Sequence, residues 1–187
     1  MSPEGSVALW PYRVMETVVR IRNYRDSDAV TVGRLIARTY AAFNLGFATA
    51  DQQVGLLGPF HFAESSEPAR QTAIARAIAA PLVLVVEEAG AIVAVLRGGR
   101  VDQRQRAVLQ SLFVDAFHHR RGIGRRLVGC FEQACVCGGT TRIKVASTLH
   151  AVPFYQALTY KRSTGIRTMR SLGGGGLPYQ PMTKSLA

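Results

Sequence analysis

The stretch FVDAFHHRRGIGRRLVGC, Phe113 to Cys130, sets four arginines around Gly122-Ile123-Gly124 and then runs on as an apolar-striped helix. Just upstream, RAVLQSLFVD (Arg106 to Asp115) is apolar on both faces, the pattern of a strand in the middle of a sheet. A buried strand that turns through two glycines into a helix has the outline of an anion site. Helix N-termini expose unpaired N–H groups and carry a partial positive charge. Glycine lets the backbone approach the anion, and Arg120, Arg121, Arg125 and Arg126 add guanidinium forks suited to phosphate oxygens. A plain helix start beside a solvated basic face has the same letters, so the loop alone leaves both readings open. Two standard phosphate loops are excluded. Gly129 is followed by Cys130 instead of Lys-Ser/Thr, and Leu127 stands where the dinucleotide fingerprint needs a third glycine.

Working outward, VVRIRNY (Val18 to Tyr24) alternates as a strand and RDSDAVTVGRLIARTYAAF follows as a helix, with Asp26, Ser27 or Asp28 at its cap. Residues 44 to 80 hold no sustained period until ARQTAIARAIAA resumes as a helix, and the irregular part is where a variable, substrate-facing segment is expected. Its aromatics Phe43, Phe47, Phe60 and Phe62 either line an acceptor pocket or pack the core, the core being favoured. LVLVVEEAGAIVAVLR (Leu82 to Arg97) reads as a β-hairpin, with Glu87 and Glu88 solvated near its turn. The helix after Gly-Ile-Gly buries Ile123, Leu127, Phe131, Ala134 and Cys135 and stops at Gly138-Gly139. TRIKVAST then reads as a strand, AVPFYQAL as a short helix, and YKRSTGIRTMRS and LPYQPMTKSL as two last strands around a flexible GGGG loop. The order is that of a mixed α/β sheet, not a doubly wound one.

The 187 residues suffice for one domain with a sizeable core. Hydrophobic residues make up 48% and charged residues 19%, which excludes a disordered chain. No apolar run reaches the length of a membrane span. The first residues lack a basic stretch followed by an apolar one, so the cytoplasm is the expected location and no membrane is expected as a partner. Cys130, Cys135 and Cys137 lack paired metal-ligand spacings; reduced thiols are expected, with Cys130 and Cys135 facing the core and no metal bound. The net charge of +11 attracts phosphates of any kind and therefore serves nucleic acid and polyphosphate cofactors alike.

One known family matches several pieces at once. SLFVDAFHHRRGIGRRLV resembles the acyl-CoA-binding motif of the GNAT superfamily of N-acyltransferases, written Gln/Arg-x-x-Gly-x-Gly/Ala. IRNYRDSD is similar to that family's first strand and helix cap, and LVLVVEEAGAIVAVL to its second and third strands. STLHAVPFYQALTY is similar to its late aromatic segment, and LPYQPMTKSL to its closing strand. The resemblance implies an N-terminal extension over 1–17 and a GNAT domain over 18–187, with a mixed, mostly antiparallel central sheet of about seven strands flanked by helices. It implies an acetyl-CoA-dependent N-acetyltransferase acting on a primary amine of a small molecule or protein. The backbone of Leu112, Phe113 and Val114 would pair with the pantetheine arm. His119, Arg120, Arg121, Gly122, Ile123, Gly124 and Arg125 would hold the pyrophosphate and outer phosphates. The chain departs from the motif at His119, where the family has glutamine or arginine, and at Thr159, where it favours glycine.

Acyl transfer from a thioester needs a neutral amine, a polarised carbonyl and a proton for the departing thiolate. The resemblance assigns the carbonyl to a backbone N–H near Val114 and the acid to Tyr155, a phenol being a sensible donor to a thiolate. VLQSLFV offers no strand carboxylate as base, holding Gln110 and Ser111 instead. Imidazole is a suitable base near neutral pH, which makes His150 the candidate base, with a water relay or a plain cap role as the alternatives. The family resemblance also implies a possible homodimer.

Two other functions fit the same letters: a CoA-binding sensor of this fold with little activity, and a basic nucleic-acid-binding module, the latter disfavoured because the arginines are not interleaved with an aromatic stripe. No nucleic acid is expected as a partner. A nucleic-acid binder would hold oligonucleotide tightly in low salt and lose it steeply as salt rises. No detectable binding in a low-salt filter or anisotropy titration is the expected result.

Overall fold

In the computed structural model, residues 19–170 and 176–186 are described. The proposed 1–17 extension and most of the GGGG loop lie outside them. The chain runs β1 (Val19–Asn23), α1 (Ala29–Asn44), α2 (Ala50–Leu57), α3 (Pro68–Ile78), β2 (Leu82–Glu88), β3 (Ala91–Val101) and β4 (Ala107–Val114). It continues with α4 (Ile123–Cys137), β5 (Arg142–Thr148), α5 (Val152–Gln156), β6 (Lys161–Arg162), β7 (Arg167–Arg170) and β8 (Gly176–Ser185). These eight strands form one mixed, mostly antiparallel sheet in the order β1-β2-β3-β4-β5-β8-β6, with β7 also paired to β8. The expected architecture is the observed one, except that YKRSTGIRTMRS breaks into two short strands on one edge of β8.

Helices cover both faces. On one, α4 lays Ile123, Leu127, Val128, Phe131 and Cys135 against Leu84, Leu96 and Leu109, joined by Val152, Tyr155 and Leu158. On the other, Val32, Leu35, Ile36 and Tyr40 of α1 pack with Ile74 and Ile78 of α3 over Val83, Val85 and Val95. The alternation of β2 and β3 between two apolar faces explains their unbroken apolar runs. Ala134 and Cys130 are exposed, correcting the expectation that both face the core; the α4 stripe turns through Val128 instead. Burial raises the Cys135 thiol to about 11, so it stays protonated.

The irregular residues after Asn44 contain a helix that periodicity missed. Thr49 caps α2: its hydroxyl accepts the Gln52 N–H (3.3 Å), and the Gln52 side chain returns to the Thr49 N–H (2.9 Å). The Thr-x-x-Gln spacing is a capping box, and it is the signal that could have revealed the helix. Among the aromatics nearby, Phe60 is fully buried, whereas Phe47 and Phe62 are exposed.

The register carries two irregularities that matter below. Arg97 pairs with Ser111 but Gly98 pairs with Leu109, which leaves Gln110 as an extra residue on β4. Gly98 to Arg100 then spans a single step on β4, leaving Gly99 extra on β3 at φ +89°. Such bulges bend and twist a strand. Beyond them β4 and β5, the one parallel pair among the described residues, are joined only from Ala107 to Leu109 against Ile143 to Val145. From Gln110 onward the two strands part.

Where β1 meets α1, Asp28 accepts from both Nη atoms of Arg22 (2.7 and 3.0 Å) and from the Arg25 N–H (2.8 Å), while Arg22 Nε reaches Glu87 (2.9 Å). The hydrogen bonds from Arg22 lead the causes that hold the Asp28 carboxyl below its ordinary value. Its contribution is therefore complete above the unfolded carboxyl value near 4 and is lost as pH falls through the lower folded value. Asp28→Asn is expected to cost about 2 kcal/mol at neutral pH. Thermal melts from pH 7 to pH 2 should show the gap between wild type and variant closing only below about pH 4.

Candidate active site

The parting of β4 and β5 opens a cleft of about 180 Å³. Leu112 and Phe113 line it from β4, Ser147 and Thr148 from β5, and Tyr155 from α5. The Asp115 N–H donates to the Val93 carbonyl (2.9 Å), so Asp115 turns its backbone toward β3. Antiparallel strands alternate, so Phe113 also turns its backbone toward β3, while Leu112 and Val114 turn theirs into the opening. Of the three strand residues expected to meet an extended arm, two offer free-edge backbone. Phe113 contributes its side chain to the cleft lining, edge-on to Tyr40 at 5.9 Å.

The helix mouth stands beside this edge. Gly122 is the N-cap of α4, in the left-handed region at φ +78°, and no side chain caps the helix. The first intrahelical bond runs from the Arg126 N–H to the Gly122 carbonyl (3.0 Å), which leaves the N–H groups of Ile123, Gly124 and Arg125 without a helical acceptor. The two glycines have different reasons. Gly122 is needed for its φ, since a Cβ there would meet nothing within 4 Å. Gly124 is needed for space, because a Cβ would press to 3.2 Å on the Phe154 ring and 3.7 Å on Leu112. The same close approach joins the helix mouth to the cleft wall.

The loop between β4 and α4 is held by buried acids. Asp115 caps its first turn by accepting the Phe117 N–H (3.0 Å) and pairs with Arg38. Burial pushes the Asp115 carboxyl up, but the Phe117 N–H, Arg38 and His118 together bring it below its usual value. Glu88 is buried, not solvated: Arg121 grips it with both Nη atoms, and His118 Nε2 lies 2.9 Å away. The Arg121 hydrogen bond is the main reason its carboxyl is held low. The Arg121 guanidinium is therefore committed to Glu88, which corrects its assignment to outer phosphates; only its backbone belongs to the loop. Arg120 (φ +61°) and Arg125 are exposed beside the helix mouth. His118 is a tie between Glu88 and Asp115. Neither acid carried a periodic signal, because each is singled out by a partner far away in sequence.

His119 Nε2–H donates to the Val114 carbonyl (2.9 Å), on the open edge of β4. Its ring lies tilted against Phe43 at 4.8 Å, and His150 stacks on the same Phe43 at 5.7 Å. His150 is exposed and is not among the residues lining the cleft, so the two expected catalytic side chains are not brought together there. Tyr155 is buried in the cleft wall, edge-on to Phe154 and Tyr160. Burial alone raises its phenol far above the ordinary value, which keeps the proton on at any working pH. No Asp, Glu or His lines the cleft among the described residues.

A family model described as acetyltransferase (GNAT) domain matches residues 49–186. Solved structures share the fold. A GCN5-related N-acetyltransferase from Rhodopseudomonas palustris is 21% identical, with TM-score 0.65, covering 92% of this chain and 99% of that one. The PaiA N-acetyltransferase from Thermoplasma acidophilum, solved with coenzyme A, is 13% identical with TM-score 0.63 and coverages of 90% and 99%. The yncA protein of Salmonella typhimurium, solved with its cofactor acetyl-CoA, is 18% identical with TM-score 0.57 and coverages of 91% and 95%. No curated protein sequence matches the chain.

Gly122→Ala is expected to destabilise the fold by about 1–2 kcal/mol through backbone strain alone. Chemical denaturation should read this as a lower midpoint with an unchanged slope.

Proposed function

Because the chain belongs to the GNAT acetyltransferase family, we propose that it is an acetyl-CoA-dependent N-acetyltransferase that acetylates a primary amine by direct attack. One observation carries the reading: the free edge of β4 and a buried, protonated tyrosine line one cleft, and the uncapped helix mouth stands against Leu112 of its wall. The residues fit the cosubstrate. Unpaired N–H groups of Ile123, Gly124 and Arg125 suit diphosphate oxygens, with Arg120 and Arg125 side chains free to add charge. Leu112 and Val114 can hydrogen-bond an extended amide arm as an added strand would. For that, His119 must release the Val114 carbonyl.

When bound, acetyl-CoA supplies an activated thioester carbonyl. A backbone N–H at the end of β4, near Val114, polarises that carbonyl, and its fixed position costs no reorganisation during the reaction. The Tyr155 hydroxyl gives its proton to the departing sulfur and recovers one from solvent. Burial keeps the Tyr155 phenol protonated at working pH, so it holds a proton for the sulfur and cannot deprotonate the amine. With no carboxylate or imidazole lining the cleft among the described residues, the amine loses its proton to water. His150 remains outside this relay, stacked on Phe43.

Acetyl-CoA is expected to raise the melting temperature by mass action. Tyr155→Phe should lower kcat by about 10²-fold or more while leaving that stabilisation nearly intact. Unchanged turnover would remove Tyr155 from the mechanism. An absent acetyl-CoA shift at saturation would instead overturn the acyltransferase reading and the CoA-sensor reading together.

A further inference from the structure

Arg97 is the one side chain of the cleft that carries a full charge, among the described residues. It sits on β3 directly opposite Ser111, next to the β4 bulge at Gln110. Its Nε is buried and has no hydrogen-bond partner, and no acid of the described residues forms an ion pair with it. The contrast with its neighbours is sharp: Arg22, Arg38, Arg106 and Arg121 each have a carboxylate. Burial alone acts on the Arg97 guanidinium, lowering its pKa with no opposing carboxylate. Two more groups of the same wall are also buried and unsatisfied, Gln110 Oε1 and Ser111 Oγ.

A half-buried guanidinium whose Nε is sealed from water without a partner or counter-charge is costly, and a protein keeps one where something outside the chain completes it. The three orphans are chemically complementary to a single kind of molecule. Arg97 and the Ser111 hydroxyl are donors and suit a carboxylate, for which the planar guanidinium fork gives bidentate recognition. Gln110 Oε1 is an acceptor and suits an amine N–H. An acceptor carrying only positive charge would meet Arg97 with no acid in the lining to balance it.

Resting on the acetyltransferase reading, we infer that the acceptor is an amino carboxylate, an α-amino acid or close analogue, whose carboxylate is taken by Arg97 and Ser111 and whose amine is placed by Gln110.

The test compares amines differing only in that carboxylate: phenylalanine with phenylalanine amide and phenethylamine, and alanine with alanine amide and ethylamine. Thiol release from acetyl-CoA gives kcat/KM for each. A thermal melt of the CoA-bound protein with each free N-acetyl amino acid reads binding without turnover. The carboxylate-bearing member of at least one series should be preferred tenfold or more, and its N-acetyl product should raise the melting temperature. Arg97→Gln should collapse that ratio by at least tenfold, chiefly through KM. Ser111→Asp, which places a carboxylate opposite the intact guanidinium, should do the same and covers the case in which Arg97→Gln fails to fold. Preference for the amides or neutral amines, or no melting shift from any carboxylate product, would overturn the proposal. Loss of acetyl-CoA stabilisation in Arg97→Gln with an unchanged amine preference would also overturn it, by assigning Arg97 to the cosubstrate. In all these outcomes acetyl-CoA stabilisation of the wild type keeps the acetyltransferase reading alive; its absence would bring down that reading first.

Discussion

The short parallel contact between β4 and β5 governs what the rest of the structure can do. Three residue pairs, Ala107 to Leu109 with Ile143 to Val145, hold the two halves of the sheet together. Past them, the bulge at Gln110 bends β4 away and leaves strand backbone whose hydrogen-bonding groups face no neighbouring strand. Elsewhere an open edge inside a sheet is a liability. Here it is lined by Tyr155 and stands beside the uncapped mouth of α4, so unsatisfied groups of the strand and of the helix gather at one place. The proposed cosubstrate would satisfy both sets at once.

Keeping that opening in shape falls to side chains on both sheet faces. Glu88 and Asp115 anchor the β4–α4 loop through Arg121, His118 and Arg38, so the loop is held from the β2–β3 hairpin and from α1 together. On the opposite wall, Gly124 admits Phe154 to close contact and thereby locks α5, and Tyr155 with it, against α4. Arg22, Arg38, Arg106 and Arg121 thus have structural destinations. The cleft arginine, Arg97, is set apart among the described residues by a buried Nε with no partner.

Much of the fold was legible along the chain. Alternating or unbroken apolar runs located the main strands, and the stripes of α1 and α4 were plain because each helix covers a sheet face over many turns. The α2 helix escaped because it is only eight residues long, its buried Leu56 and Leu57 are adjacent and so set no period, and its start is defined by Thr49 and Gln52, a capping pair that periodicity does not register. The glycine loop was legible as an anion site, since its chemistry is that of local backbone. The roles of its arginines were not: Arg121 is turned to Glu88 by a strand 33 residues away in sequence.

What the sequence by itself determined is therefore local: element types, the glycine-led helix mouth, and the candidacy of Tyr155, all set by neighbours within a few residues or by a motif in order. Tertiary structure alone decided which polar groups are partnered. It buried Glu88 and paired it, placed His150 against Phe43 outside the cleft lining, and left Arg97, Gln110 and Ser111 unsatisfied around one cleft. The physical reason is that burial and pairing depend on groups brought together by strand register and sheet splay, and neither is written in the spacing of residues along a single strand.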